Sequence, residues 1–453
     1  MQSQQDTGRS RFGHPVGLFW LSGSEFWERF SYYGMQSLLV LYMTHYLLLP
    51  ANLEQVWGFG PFRWALERLY GPLEGQPLGS AIFGFYSGFV YLTPILGGIV
   101  ADRWLGRTAT VTLGALLMVA GHFLMAFPPF FLFALCCLLI GVGGFKGNIA
   151  AQVGELYKPD DLRRPTAFQI YFMAIQVAVI AAPMICGGLG ELVGWHWGFG
   201  AAGVGMVAGV IIYRIGRPTY RIEAQQAVED GPAPSSAKNG NSTRAVLLLV
   251  ALIPVLAIGA VGNQQIFNAY LLFGERHFEL SLFGQALPVT SLVTLDAITS
   301  SITIPLSLVF WRWWARRRRE PDDITKIIIG MILSVGGALS LALAALFAGT
   351  GKVSLGFAVM FEVFNDFGFA NVFPVGLALY SRVAPPRFTG VMVAAYYLHM
   401  FICNMLVGYI GGFLETLPGP TFWLIHAGLI GASAIILIGV QRGAGHILRS
   451  NEA

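Results

Sequence analysis

The stretch Glu25 to Gly34, E-F-W-E-R-F-S-Y-Y-G, decides the fold, because it sets three charges inside a segment otherwise apolar enough to cross a bilayer. On a helix, Glu25, Glu28, Arg29, Tyr32 and Gln36 recur at spacings of three and four and fall on one stripe. Leu18, Trp20 and Leu38 to Tyr42 supply apolar cover. Ionisable groups at membrane depth are costly, so such a stripe faces a cavity and is a functional candidate by default. It predicts proton or substrate handling, with a structural ion pair as the plainer alternative.

The rest of the chain agrees. Of 453 residues, 55% are hydrophobic and 11% charged, and mean hydropathy is +0.62; a soluble domain carries roughly 25% charged residues. An all-α polytopic membrane protein is expected, with about twelve spans near 16–48, 78–101, 108–127, 130–156, 166–189, 195–214, 245–273, 282–311, 324–348, 353–381, 388–414 and 421–440. Met1 to His14 is polar without a small-residue cleavage site, so no signal peptide is expected. With alternating spans, nearly all Lys and Arg fall on one side; only Arg63, Arg68, Arg276 and Lys352 fall on the other, and Arg29 and Lys146 lie inside spans. Basic loops stay cytoplasmic, which predicts an inner (plasma) membrane protein with both termini cytoplasmic. The net charge of +4 reflects this bias rather than nucleic-acid binding. The run Arg316 to Arg319 reads as an anionic-lipid contact or topology anchor. Cys136, Cys137, Cys186 and Cys403 form no framework and read as small core residues.

Leu49 to Gln76 reads as an external loop with one short amphipathic helix. The fourth-span string G-V-G-G-F-K-G-N, Gly141 to Asn148, is not a phosphate loop, since no Ser or Thr follows Lys146. Lys146 must find a carboxylate or stay neutral, and Glu25 and Glu28 are the candidates. Residues 216–243 form the longest polar segment and predict a flexible cytoplasmic linker between six-helix bundles at 1–215 and 244–453.

The string G-G-I-V-A-D-R-W-L-G-R, Gly97 to Arg107, resembles the loop motif that follows the second span in the major facilitator superfamily. There Gly98 allows close helix approach, while Asp102, Arg103 and Arg107 lock helix ends in one conformation. The first-span string is similar to the E-x-x-E-R-F-x-Y-Y-G signature of the proton-dependent oligopeptide transporter family, a branch of that superfamily. The likeness continues through V-Y-L-T-P-I-L-G-G-I-V-A-D-R at 90–103, F-K-G-N at 145–148, G-W-H-W-G-F at 194–199 and P-V-G-L-A-L-Y-S-R-V-A-P at 374–385, so it covers nearly the whole chain. It implies the major facilitator fold. It also implies a proton-coupling and gating cluster of Glu25, Glu28, Arg29 and Lys146, with Tyr32, Tyr33 and Tyr91 lining the pocket.

Departures from that family bear on substrate. Gln36 stands where members usually carry an Arg that helps hold a peptide carboxylate, and Asn263 or Gln264 replaces its acidic seventh-span partner. Phe369 replaces the tenth-span Glu that anchors a peptide amino terminus, Gln176 replaces an Asn, and Tyr396 replaces a Trp. New acids stand at Asp296, in place of Asn, and at Glu362 and Asp366 on one face of the tenth helix. His399 is added on the eleventh span, more in the manner of a packing residue. Glu362 is expected near the external end, simply hydrated. Asp296, helped by Asp366, is a candidate contact for a substrate amine or guanidinium, or else a second proton site.

No nucleophile with a base and orienter, metal-ligand cluster or nucleotide motif points to an enzyme. The expected function is proton-coupled symport of a small organic solute by alternating access, acting as a monomer with no cofactor beyond the coupling proton. Ordinary di- and tripeptide recognition is expected to be altered in favour of a cationic or neutral amine or peptide-like compound. Export by proton antiport and a non-transporting sensor are the alternatives.

Overall fold

The structure, a computed structural model, describes residues 10–158, 161–229, 243–383 and 389–449. Helix follows helix throughout: α1 (Val16–Tyr42), α2 (Phe59–Tyr70), α3 (Gly75–Val100), α4 (Arg107–Leu124), α5 (Phe131–Glu155), α6 (Arg164–Ala182) and α7 (Trp195–Glu229), then α8 (Thr243–Gly259), α9 (Ala269–His277), α10 (Ser291–Ala315), α11 (Asp323–Ala348), α12 (Gly356–Val383), α13 (Thr389–Gly411) and α14 (Gly419–Arg449). Two antiparallel ladders of two-residue strands, at Ser10–Arg11 with His14–Pro15 and Ser281–Leu282 with Gln285–Ala286, are the strand pairs among the described residues.

Among the described residues, nine helices (α3 to α7, α10, α11, α13 and α14) are long and apolar enough to cross a membrane. A tenth span is broken: α8 and the helical turns Val261–Phe267 meet at 50°. Helices α1 and α12, of 27 and 28 residues, are about 40 Å long, against roughly 30 Å of hydrocarbon. In α1 the apolar run is interrupted by Glu25, Glu28 and Arg29, and in α12 by Glu362, Asn365, Asp366 and Asn371. With these two and the broken pair, the helices match the expected spans one for one.

Several boundaries move. The span expected from 282 begins at Ser291, because Phe283 and Gly284 at positive φ turn the chain back on itself in the small ladder. Residues 216–229, expected as flexible linker, are helical. Tyr220 of this extension is buried, and the Glu223 carboxylate accepts the Val16 and Gly17 amides at 3.0 and 2.7 Å, capping donors that helix α1 cannot satisfy itself. Residues 230–242, with Lys238, and 384–388, with Arg387 and the end of the P-V-G-L-A-L-Y-S-R-V-A-P motif, lie outside the described residues. The expected amphipathic helix in 49–76 is α2.

The chain divides into two compact units, one of residues 1–38, 55–57 and 93–235, the other of 39–54, 58–92 and 236–453. In the first unit, α4 and α5 pack backbone against backbone: a Cβ on Gly114 would press on the Gly141 carbonyl at 2.6 Å. Small residues permit that approach where lipid tails offer no hydrophobic drive between helices. In the second, Leu249, Leu256, Met331, Tyr380 and Ile430 belong to one buried core. Cys137, Cys186 and Cys403 are buried as expected, whereas Cys136 is exposed: adjacent residues on a helix point about 100° apart, and it takes the outward side.

Candidate proton and substrate sites

In the first unit the stripe on α1 folds inward. Glu25, Glu28 and Arg29 are 2%, 0% and 3% exposed. Arg29 Nη2 donates to Glu28 Oε1 at 2.6 Å, Arg29 Nε bonds the other Glu28 oxygen, and the same Nε lies 3.2 Å from Glu25 Oε1. The Arg29 guanidinium also sits 5.2 Å over the Tyr32 ring, a cation–π contact. Lys146 of α5 lies in the field of both acids, and Tyr171 of α6 stands beside Glu25. Two carboxyl groups thus lie among two basic side chains, and each proton gained changes the charge of the set by one. That change is how a buried cluster can report a proton.

Asn148 of the F-K-G-N string donates to the Gly97 and Gly144 carbonyls at 3.3 and 2.9 Å, tying the end of α3 to α5 two residues from Lys146. Tyr32 packs edge-on against Tyr33, Gln36 is buried, and Gln176 is half-buried. In the loop motif Gly98 is half-buried and Arg103 is exposed. Gly106 takes a φ of +74°, which glycine adopts without strain. Arg107 Nη2 lies 3.6 Å from Asp102 Oδ1 and also pairs with Glu155 at the end of α5.

In the second unit Tyr91 stacks near Tyr397, with centroids 6.4 Å apart. The break after α8 presents Asn263 and Gln264, half-buried: Gln264 donates to Asn263 at 2.9 Å and accepts from Asn404 at 3.3 Å. Phe369 stacks on Phe373 at 5.2 Å. Tyr396 is fully buried, its hydroxyl donating to the Phe373 carbonyl at 2.8 Å, and His399 is packed beside it. Asp296 of α10 is half-buried, whereas Asp366 of α12 is 1% exposed. Glu362 is not hydrated near an end: it is 0% exposed, because the α12 turn that carries it faces α9 and α10. One carboxylate oxygen each from Asp296, Glu362 and Asp366 lies within 4.8 Å of the others.

Tyr171, Glu155 and Tyr270 carry no motif that marks them; each enters a site through tertiary packing. Glu362 did carry a signal, its spacing of four from Asp366.

A family model described as POT family matches residues 108–229 and 222–424. The chain is 27% identical to the peptide transporter YePEPT of Yersinia enterocolitica over 92% of its own length and 91% of the relative's. It is 29% identical to a di-/tripeptide transporter of Lactococcus lactis subsp. cremoris, over 88% and 89%. The fold matches the crystal structure of a peptide transporter POT in complex with sulfate, with a TM-score of 0.82 at 23% identity over 97% and 96% of the two chains.

Proposed function

The chain belongs to the POT family, a family of membrane transporters and not of enzymes, and from that premise we propose that it is a proton-coupled symporter of a small organic solute. The observation that carries this reading is the buried set of Glu25, Glu28 and Arg29 with Lys146 in its field. A proton on Glu28 or Glu25 releases a cation from its pair, and that release lets the protein exchange inward-open and outward-open states. Asp102, Arg107 and Glu155 hold one of those states by ion pairs that break in the other. The cluster does its work at the inner membrane in a monomer with cytoplasmic termini.

The substrate is a cationic or neutral amine or a peptide-like compound. Two curated relatives are named peptide transporters, which supports the peptide-like part. Gln36 and Phe369 put an amide and a ring where a peptide's two termini would need full charges, which supports the departure from ordinary peptides. Tyr32, Tyr33, Gln36, Tyr91, Gln176, Asn263, Gln264 and Asp296 are the proposed contacts. Asp296, with accessible surface, meets the substrate's positive group, with Asp366, Phe369 and Tyr396 behind.

Reconstituted in vesicles with an imposed pH gradient, Glu28→Gln and Lys146→Ala should abolish uphill accumulation while counterflow exchange partly survives. Accumulation at the wild-type level in either variant rejects the coupling assignment. Substrate binding with no flux in the wild type would favour a sensor instead.

A further inference from the structure

The three acids of the second unit have no counterpart to Arg29. Glu362 is 0% and Asp366 1% exposed, and both Glu362 oxygens and Asp366 Oδ2 lack a hydrogen-bond partner. The groups acting on the three carboxylates are one another, Tyr270 and Asn365; no Lys, Arg or His among the described residues is one of them. Tyr270 of α9 is an independent feature of the same place. Its side chain is wholly buried, and its hydroxyl makes no hydrogen bond of ordinary length and angle; it lies nearest Glu362 and within the field of Asp296 and Asp366. An arrangement of unsatisfied oxygens in a low-dielectric interior needs compensating positive charge.

The size and chemistry of that charge are limited. Glu362 and Asp366 offer almost no surface to a substrate-sized group, so what reaches them is small and bare, and Asp296, half-buried, is the entrance. A hard cation holds oxygens at about 2.3–2.6 Å, which places ligands on opposite sides about 5 Å apart. One oxygen from each of the three carboxylates lies within 4.8 Å of the others, close enough for a single such ion to reach all three. All the donors are oxygens, the set that suits hard cations rather than soft ones.

We propose that Asp296, Glu362, Asp366 and Tyr270 form a binding site for one hard metal cation within the second unit. The ion is held from the inner side, and the lone pairs on the accessible side of Asp296 remain for substrate. The site does not depend on the transport reading, so it is tested without substrate.

The purified full chain in nanodiscs, stripped of metal at pH 8 in an N-methylglucamine buffer, is dialysed against ⁴⁵Ca²⁺, ⁵⁴Mn²⁺ or ²²Na⁺, and its thermal unfolding is followed in parallel. Saturable binding of about one ion per chain by at least one of the three is expected, with a raised unfolding midpoint. Glu362→Gln should weaken that binding by at least about tenfold, and Tyr270→Phe, which keeps the ring, by a similar factor. Glu362→Gln removes a crowded charge, so its ion-free midpoint should not fall below the wild type's, which separates lost binding from lost fold. Glu74→Gln, on an exposed turn, should bind as wild type does. No binding of any of the three ions, or equal binding by Glu362→Gln, overturns the proposal, as does a midpoint that responds to pH alone and so marks a proton site.

Discussion

Arg29 Nη2 donates to Glu28 Oε1 at 2.6 Å across a single peptide bond, so this buried charge pair is built inside one helix and needs no second helix to form. Glu25, one turn earlier, shares the same guanidinium. Removing the guanidinium therefore strands two buried carboxylates at once.

Arg29→Met should destabilise the protein by about 3–5 kcal/mol, the cost of leaving a buried charge without its partner. Adding Glu28→Gln to that background should recover a large part of the loss, because residues in one network do not add. Unfolding of the single and double variants in detergent measures the coupling. Strictly additive losses would mean that the pair contributes nothing to the fold.

Dialanine and trialanine should compete weakly or not at all for the bound substrate. On the proposed reading Gln36 and Phe369 stand where the resemblance implies full charges for the peptide termini, and losing a charged hydrogen-bond partner costs discrimination of several powers of ten. Submillimolar uptake of either peptide contradicts this expectation.

Asp296→Asn keeps shape and removes charge. If Asp296 meets the positive group of the substrate as proposed, ligand binding is lost at every pH. Unchanged affinity with a lost pH dependence would assign Asp296 to protons alone.

Past the end of α1, His45 Nε2 lies 2.8 Å from Oε2 of Glu275, which is outside the spans, and this hydrogen bond holds the Glu275 carboxyl below its ordinary range against the opposing effect of burial. A depressed carboxyl stabilises the fold above its unfolded value of about 4.3 and loses that contribution as pH falls through the lower folded value. Between about pH 5 and 3 the wild type should lose more thermal stability than Glu275→Gln does. Parallel acid limbs in the two melting series would show that the contact is too exposed to matter.

What the sequence determined alone is whatever depends on a residue's own helix. Membrane class follows from hydropathy, which needs no partner, and so does the expected span count. The stripe of Glu25, Glu28 and Arg29 was legible because helical spacing sets the angle of each side chain, and its main ion pair closes within one turn. Depth and partnership were not. Glu362 read as a hydrated terminal acid and is sealed in the interior, because periodicity gives the direction of a side chain but not what packs against it. Asp296 meets Glu362 and Asp366 from a different helix, Tyr270 reaches them from a third, and Glu223 caps α1 across 206 positions of chain. Such meetings are fixed by how helices pack against one another, and only the tertiary structure carries them.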